Sequence, residues 1–211
     1  IIKSLYHENK IQTLLIAGIY DGDARKKEYG TAGIYNYKGE GSRAARYTDF
    51  ILQELLPFIY QSYPVDKSQG VAFAGFSLGG LSALDIVWNH ADIFHAAGVF
   101  SGSLWWRTKA LDDGYNEAAD RIMHAQINKG NYQPGLKFFL ECGMKDETMD
   151  RNNNGKIDAV EDTEDLIEAL KKKGYRQPGD IHYLLMKEGR HNEATWVKAI
   201  PEFLLWLAGY G

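Results

Sequence analysis

The sequence predicts an α/β protein whose mostly parallel sheet is covered by helices on both faces. Five short runs of residues are apolar throughout, which is typical of strands buried on both sides, and segments with helical spacing separate most of them. The chain has 211 residues, of which 45% are hydrophobic, enough for one sizeable core. We therefore expect residues 1–211 to form a single domain.

The predicted strands are these five apolar runs. In chain order they are "TLLIAGIY" (13–20), "GVAFAGF" (70–76), "HAAGVFS" (95–101), "LKFFLEC" (136–142) and "IHYLLM" (181–186). Ligands of parallel sheets bind beyond the carboxyl ends of the strands, so we expect the functional residues directly after these runs.

Three segments have the apolar spacing of helices. The first runs from Tyr47 to Ile59, and Pro57 within it predicts a kink or an early end. The second contains the stripe 166–170, with three lysines in its last turn and Gly174 after it, as is usual for a helix end. The third covers residues 196–207 near the end of the sequence.

Composition excludes several classes of protein. The formal net charge of −4 provides no basic face for nucleic acid, and no apolar run approaches the ~20 residues of a membrane span. The single cysteine, Cys142, excludes an internal disulfide and is expected to be a buried thiol. The sequence opens without methionine or a signal peptide, so we expect it to be cut from a longer chain.

A candidate nucleophile follows the second predicted strand. Gly75-Phe76-Ser77-Leu78-Gly79 fits the G-x-S-x-G pattern between a strand and a helix, in which the serine sits on a strained turn. We expect side chains at 75 and 79 to collide across that turn, which explains both glycines. The Leu78 N–H, at the start of the helix, could donate to a developing oxyanion. The alternative is a glycine-rich turn with a surface serine.

A serine nucleophile requires a base, and in this arrangement the order along the chain is serine, acid, histidine. His191 lies in "KEGRHNEATW", just past the last strand and just before the last helix, so it is the predicted general base and acid. His182 lies within the last strand and is expected to be a packed or edge residue. A surface loop histidine is the alternative for His191.

The segment 143–162 contains six carboxylates, two of which are candidates for the acid of a triad. Asp146 follows the fourth strand directly and would orient His191 and stabilise its imidazolium form. Glu147 is the second candidate, because one residue of register decides which side chain faces inward. Asp162 is expected to begin the next helix.

The other three carboxylates belong to a twelve-residue pattern of the EF-hand calcium loop, residues 150–161. Gly155 fits the sharp turn at the sixth position, and Ile157 is the apolar anchor at the eighth. Calcium would be held by side-chain oxygens and one carbonyl, with the ninth position bound directly or through water, from Asp150, Asn152, Asn154, Lys156, Asp158 and Glu161. The alternative is a solvated Asn/Asp-rich loop without metal.

The calcium loop departs from an EF-hand, since only the exit helix, from about Asp162, is expected. We therefore predict a structural calcium site that holds the acid segment in place. Its modest expected affinity suits calcium-rich surroundings and favours a periplasmic or secreted protein. No organic cofactor is implied, because neither a phosphate loop nor a dinucleotide motif is present.

The segment "GSLWWR" after the third strand is expected to border a substrate pocket. Trp105 and Trp106 could stack on a sugar or a phenolic acyl group, and Arg107 could pair with an anionic group. The alternative is that one or both tryptophans pack beneath the loop.

Taken in order, several segments resemble the esterase D-like branch of the α/β-hydrolases, which includes enterochelin, feruloyl and acetyl-xylan esterases, S-formylglutathione hydrolases and mycolyltransferases. They are "RYTDFILQELLPFIYQSYPV", "GVAFAGFSLGGLSAL", "FSGSLWW", "GMKDE" and "GRHNEATW". The resemblance implies an α/β-hydrolase fold and a triad of Ser77, His191 and Asp146. It also implies an ester of a small molecule or carbohydrate as substrate.

The resemblance has one departure. Such proteins usually carry further strands upstream and a loop that provides the second oxyanion donor, whereas this sequence begins just before the first predicted strand. We expect those strands to be missing here and reduced activity unless another segment supplies the donor. The predicted function is ester hydrolysis through an acyl-enzyme. The alternatives are an acyltransferase of the same fold and a non-catalytic domain that binds carbohydrate or a siderophore.

Overall fold

The computed structural model describes residues 1–209, in which the strands form one parallel sheet with the order β1-β2-β3-β4. The strands are β1 (Val71–Phe76), β2 (Phe94–Phe100), β3 (Lys137–Lys145) and β4 (Ile181–Arg190). The helices are α1 (Ile2–His7), α2 (Arg25–Glu28), α3 (Ala44–Phe50), α4 (Leu56–Ser62), α5 (Leu78–Asn89), α6 (Glu117–Asp120), α7 (Ile122–Lys129), α8 (Asp158–Lys173) and α9 (Glu193–Ala208).

Helices cover both faces of the sheet, as predicted. On one face, a large apolar cluster joins the sheet to α5, α7 and α8, with Leu84, Phe138 and Leu166 among its fully buried members. On the other face, α9 packs Phe203 and Leu204 against the strands. Burial of both faces explains why the strands are apolar throughout instead of alternating.

The predicted first strand, residues 13–20, is not a strand. It has no strand pairing and is largely exposed, to the extent that Tyr20 is 92% exposed. A strand forms only where a neighbouring strand completes its backbone hydrogen bonds, and an apolar run cannot specify that partner. The described sheet therefore has four strands instead of five.

The predicted helices are present, but two of their details differ from expectation. Before Pro57, the backbone widens into a π-helical turn (Ile51–Leu55) and continues into α4, which carries the proline in its first turn, where a missing N–H is tolerated. The helix expected from about Asp162 begins earlier, at Asp158, which makes Asp162 a buried residue within α8. Gly174 ends α8 in the left-handed conformation that glycine favours.

None of the helices described within residues 1–209 combines the length and apolar character that crossing a bilayer requires.

Candidate active site

The turn between β1 and α5 presents Ser77 at the carboxyl edge of the sheet. Ser77 has φ 56° and ψ −122°, a strained conformation for a residue other than glycine. Its backbone is fixed because its N–H donates to the Phe100 carbonyl at 2.8 Å and its own carbonyl accepts from Ser103 N–H at 3.1 Å. Leu78 is the first residue of α5, so its N–H is one of those that no carbonyl within the helix satisfies.

The two glycines of the turn have different roles. A Cβ at position 75 would lie 2.3 Å from the Gly79 carbonyl oxygen, so only glycine fits there. A Cβ at position 79 would meet nothing nearer than the Tyr29 ring at 3.7 Å, an ordinary contact. The collision expected at both positions therefore applies to Gly75 alone.

His191 lies between β4 and α9 and reaches Ser77. Its Nε2 is 2.8 Å from the Ser77 Oγ, while 40% of the side chain stays exposed. Hydrogen bonds on both sides fix this short connection: Asn192 caps α9 by accepting from Thr195 N–H, and the Thr195 hydroxyl accepts from Arg190 N–H at 2.8 Å. The end of a strand and the start of a helix thus position the imidazole.

Asp146 approaches the other ring nitrogen of His191. Its Oδ2 lies 4.0 Å from His191 Nδ1, which is longer than a hydrogen bond, and its side chain is 1% exposed. The side chain folds back over the strand: a Cβ on Gly143 would lie 2.4 Å from Asp146 Oδ1. The Oδ1 atom is buried and has no hydrogen-bond partner among the described residues.

Glu147, the second candidate acid, lines the cleft beside the triad. Asp146 is the carboxylate that forms the ion-pair contact with the His191 ring, at 4.0 Å. Glu147 lies farther than this from the ring. Burial raises the pKa of the Glu147 carboxyl, and a hydrogen bond from the Ala159 backbone partly offsets this shift. The geometry therefore favours Asp146 as the acid partner of His191.

A cleft of about 230 Å³ opens next to His191. Residues after β2 and β3 form its walls: Ser101, Gly102, Ser103, Trp105, Asp146, Glu147, Ala159 and Asp162. Trp105 borders the cleft, and its contact with a substrate stays a prediction. Trp106 does not border the cleft, because it is 1% exposed and packs on Gly30 and Gly41 inside the core. The packing alternative thus describes Trp106, whose large ring fills the space that those glycines leave.

Arg107 lies among aromatic rings near the cleft and is not part of its wall. Its guanidinium carbon is 5.0 Å from the Tyr37 ring centroid, 5.7 Å from that of Trp105 and 5.8 Å from that of Tyr115. The quadrupole of an aromatic ring stabilises a nearby cation, so the three rings hold the Arg107 guanidinium in place. The expected contact with an anionic substrate group stays a prediction.

Three residues near the triad were not identified from the sequence as part of the site. The Trp196 ring meets the His191 ring edge to face, with centroids 5.3 Å apart, and its Nε1–H donates to Ser101 Oγ at 2.9 Å. The Ser101 Oγ is also 3.5 Å from Glu141 Oε2. One signal could have identified Glu141, because it is the single acidic residue inside the apolar run 136–142.

The loop 150–161 closes on itself through its own polar groups. The Asp150 carboxylate accepts from the Asn154 and Gly155 N–H groups, while the Asn152 and Asn154 amides donate to Glu161. Positions one, three, five and twelve of the predicted calcium loop are thereby brought together.

The fit of the calcium loop to a metal ion is only partial. Asp158, at the ninth position, is engaged by Arg151, whose backbone N–H donates to it at 2.8 Å and whose guanidinium lies 3.2 Å from the same oxygen. The Asn152 and Asn154 amides present their nitrogens to Glu161, whereas calcium requires their oxygens. Within residues 1–209, no three His, Cys, Asp or Glu side chains are grouped as a metal site would need. Calcium binding by this loop stays a prediction.

His182 is an edge residue of the sheet, as expected. Its ring stacks on Phe139 with centroids 5.0 Å apart, and its Nε2 is 2.7 Å from Glu202 Oε1 on α9. The contacts of His182 therefore join β4 to α9, far from Ser77 in the fold.

A parallel sheet, a serine on a strained strand-to-helix turn and a histidine from the last loop define the α/β-hydrolase class of proteins. The chain belongs within that class to the family described as "Putative esterase", whose model matches residues 1–207. Family membership confirms the resemblance that the sequence motifs predicted. No curated protein matches the chain.

Several solved structures share the fold. The enterobactin esterase FES from Shigella flexneri is 22% identical and superimposes with a TM-score of 0.70 over 98% of this chain and 47% of its own. A ferulic acid esterase is 18% identical with a TM-score of 0.66 over 100% and 76% of the two chains. S-formylglutathione hydrolase FrmB from Staphylococcus aureus is 20% identical, with a TM-score of 0.53 over 78% and 61%. This chain thus spans less than half of the Shigella protein.

Proposed function

We propose that this chain hydrolyses carboxylic esters through a covalent acyl-enzyme on Ser77. The observation that carries the proposal is the 2.8 Å contact between Ser77 Oγ and His191 Nε2, which is the distance that proton transfer from a serine nucleophile requires. Membership of the esterase family supports ester hydrolysis as the general reaction. The strained backbone of Ser77, which exposes the hydroxyl at the sheet edge, supports it independently.

In the first half of the reaction, Ser77 Oγ attacks the ester carbonyl while its proton moves to His191 Nε2. The carbonyl oxygen becomes an oxyanion, to which the Leu78 N–H donates at the start of α5. The imidazolium then gives its proton to the departing alcohol as the ester C–O bond breaks, leaving the acyl group on Ser77. Asp146, buried behind the ring, stabilises the imidazolium and selects the tautomer.

In the second half, His191 takes a proton from water as the water oxygen attacks the acyl carbonyl. Collapse of the second tetrahedral species returns the proton to Ser77 Oγ and releases the carboxylic acid. An alcohol in place of water would give acyl transfer instead. Product analysis with and without an added alcohol or sugar separates these two outcomes, since a new ester forms only in acyl transfer.

Labelling by a fluorophosphonate probe tests the nucleophile. We expect the chain to be labelled and to hydrolyse p-nitrophenyl acetate, and both properties to be lost in Ser77→Ala and His191→Gln. The matched controls are Ser62→Ala, at the exposed end of α4, and His7→Gln, at the exposed end of α1. If the probe labels the Ser77→Ala variant to the same extent as the unaltered chain, Ser77 is not the nucleophile. If the unaltered chain is folded but neither reacts with the probe nor hydrolyses p-nitrophenyl acetate, the alternative of a non-catalytic binding domain remains.

For the substrate, we propose an ester with an aromatic acyl group that stacks on Trp105 in the cleft. Structural neighbours named for enterobactin and ferulic acid motivate this choice. The test compares kcat/KM for ethyl ferulate, enterobactin, S-formylglutathione and p-nitrophenyl acetate. In Trp105→Ala, we expect the aromatic acyl esters to lose roughly tenfold more than the acetate, since one stacked ring contributes on the order of 1 kcal/mol. An equal loss for all substrates would contradict the role of stacking.

A further inference from the structure

Glu141 is an acidic residue in the middle of a buried strand. It lies on β3 between Phe100 of β2 and Leu184 of β4 and is 1% exposed. Alternate residues of a strand share a face, so Glu141 lies on the same face as Phe139, which packs against α9. A carboxyl group in such a place carries a desolvation cost that nothing in the fold explains.

A chain of polar contacts leads from Glu141 to the catalytic histidine. Ser101 Oγ is 3.5 Å from Glu141 Oε2, the outer limit of hydrogen bonding, and accepts from Trp196 Nε1–H at 2.9 Å. The Ser101 backbone N–H also donates to the Glu141 carbonyl at 2.9 Å. Trp196 lies between the Phe76 ring, on which it stacks at 5.1 Å, and the His191 ring, which it meets edge to face. The orientation of the indole therefore limits the positions open to His191.

Glu141 also lies close to the predicted triad acid along its own strand. The Oδ1 atom of Asp146 sits over Gly143, two residues beyond Glu141 on the same face of β3. Both Glu141 Oε1 and Asp146 Oδ1 are buried and lack a hydrogen-bond partner among the described residues. Two carboxyl groups thus share one dry region behind His191.

We propose that Glu141 is a positioning residue of the active site, which holds Trp196 against His191 through Ser101. This inference rests on the proposed function. It adds a second acid that never touches the substrate.

The surroundings of Glu141 favour its neutral form. Burial, and then the negative charge of Asp146, raise the pKa of Glu141 to about 7, and the hydrogen bonds from Ser101 only partly offset this shift. Glu141 also interacts electrostatically with Cys142 on its own strand and with Tyr183 on β4, and each of their pKa values is raised, mainly by burial. Below about pH 7, the Glu141 carboxyl is therefore neutral.

The experiment follows the indole N–H resonance of Trp196, which needs no substrate. The sequence contains five tryptophans, and Trp196→Phe assigns the correct ¹H–¹⁵N signal by its loss. Because His191 also touches the ring, the titration is recorded in His191→Gln. We expect the signal to shift between pH 6 and 8 in His191→Gln and to stay constant when Glu141→Gln is added. In the same background, Asp85→Asn is the matched control, since the pKa of Asp85 is also raised to about 7 and it lies on α5, away from Trp196.

Activity provides the second readout. Trp196→Phe keeps an aromatic ring but loses the N–H together with the five-membered ring of the indole, so we expect kcat to fall roughly tenfold with little change in KM, because the base loses a hydrogen-bonded neighbour that positions it. We expect Ser101→Ala to reproduce this loss and to abolish the pH-dependent indole shift. Should Glu141→Gln not fold, Ser101→Ala in the His191→Gln background decides the question by the same indole signal.

Two outcomes would overturn the inference. One is a Trp196 signal that does not respond to pH in His191→Gln, and the other is a response that persists after Glu141→Gln or Ser101→Ala. Absence of ester turnover in the unaltered chain, together with the expected indole titration, would instead count against the proposed function and leave the contact chain in place.

Discussion

The two ends of the proposed triad are built in different ways. At the serine end, Ser77 follows β1 directly and His191 is separated from α9 only by Asn192, and their reactive atoms are 2.8 Å apart. At the acid end, the long connection 146–157 joins β3 to α8, and Asp146 stops 4.0 Å from the ring. Strand ends and helix caps thus fix the first contact, while the second depends on side chains of a loop.

The difference also appears in how polar atoms are satisfied. Backbone hydrogen bonds on both sides hold Ser77 and His191, whereas Asp146 Oδ1 is buried without a partner. An unsatisfied buried carboxylate oxygen destabilises the fold by on the order of 1–3 kcal/mol, and the serine end does not carry this cost. We therefore expect substitutions, pH and metal binding to affect the site most clearly at the acid end.

The largest expected effect comes from the acid itself. Asp146→Asn should lower kcat/KM by roughly 10²–10⁴, because the amide no longer stabilises the imidazolium and favours the wrong tautomer. Glu147→Gln, the matched neighbour in the same loop, should cost less than about tenfold. Steady-state kinetics on p-nitrophenyl acetate measures both. A larger loss in Glu147→Gln would transfer the acid role to Glu147 and reverse the assignment.

The next effect tests how strictly the serine end is built. Gly75→Ala should reduce the free energy of unfolding by roughly 3 kcal/mol, since its Cβ would meet the Gly79 carbonyl at 2.3 Å. Gly79→Ala should change it by less than about 1 kcal/mol, because the nearest atom is 3.7 Å away and alanine favours a helix. Urea unfolding followed by circular dichroism compares the two. Equal losses would show that the turn demands glycine at both positions.

Much of this contrast could be predicted from the sequence. The order of strand, Ser77 and helix, and the place of His191 before the last helix, follow from patterns within about twenty residues. Such patterns depend on interactions between residues that are close in sequence. The C-terminal end of α8 and the buried character of the strands likewise follow from lysines, a glycine and apolar runs.

Other features depend on distant contacts that no local pattern specifies. Residues 13–20 look like a strand, yet no neighbouring strand completes their hydrogen bonds. Trp106 looks like a pocket residue, yet Gly30 and Gly41, far away in sequence, leave the space that buries its ring. Glu141 and Trp196 meet through Ser101, and each stands on a different element of the fold. Such juxtapositions arise only once the sheet is assembled.

Two buried carboxyl groups, Asp85 and Glu141, should destabilise the fold when they ionise. Burial raises the pKa of Asp85, on the helix after Ser77, and of Glu141 to about 7. Because the folded pKa lies above the unfolded one, the stabilising contribution is complete below about pH 4 and is lost as pH rises towards 7. Relative to the unaltered chain, Asp85→Asn and Glu141→Gln should therefore gain roughly 3–4 kcal/mol across this range and then level off.

Thermal unfolding at successive pH values between 4 and 9 measures these differences. Asp146 accounts for part of the shift at Glu141 and none of that at Asp85. The gain from Glu141→Gln should therefore shrink in the Asp146→Asn background, while that from Asp85→Asn should persist. A gain that is constant with pH would mean that packing, and not ionisation, separates the variants.

The smallest expected effect is that of calcium, which would hold the segment that carries Asp146 more firmly in place. If the loop 150–161 binds calcium as its sequence predicts, calcium added to chelator-treated protein should stabilise it by about 1–2 kcal/mol at tenfold excess over the Kd. Because the loop leads into α8 behind Asp146, ester turnover should rise as well. Glu161→Gln should abolish both responses, whereas Glu168→Gln, an exposed carboxylate farther along α8, should retain them.

Magnesium at the same concentration provides the ion control, since the loop offers too many ligands for its octahedral shell. Thermal unfolding and p-nitrophenyl acetate turnover are measured on the same samples before and after chelation. If chelation and calcium leave both quantities unchanged, the loop is a solvated Asn/Asp-rich connection. The 4.0 Å gap between Asp146 and His191 would then have to close by another route, such as substrate binding in the cleft that both residues line.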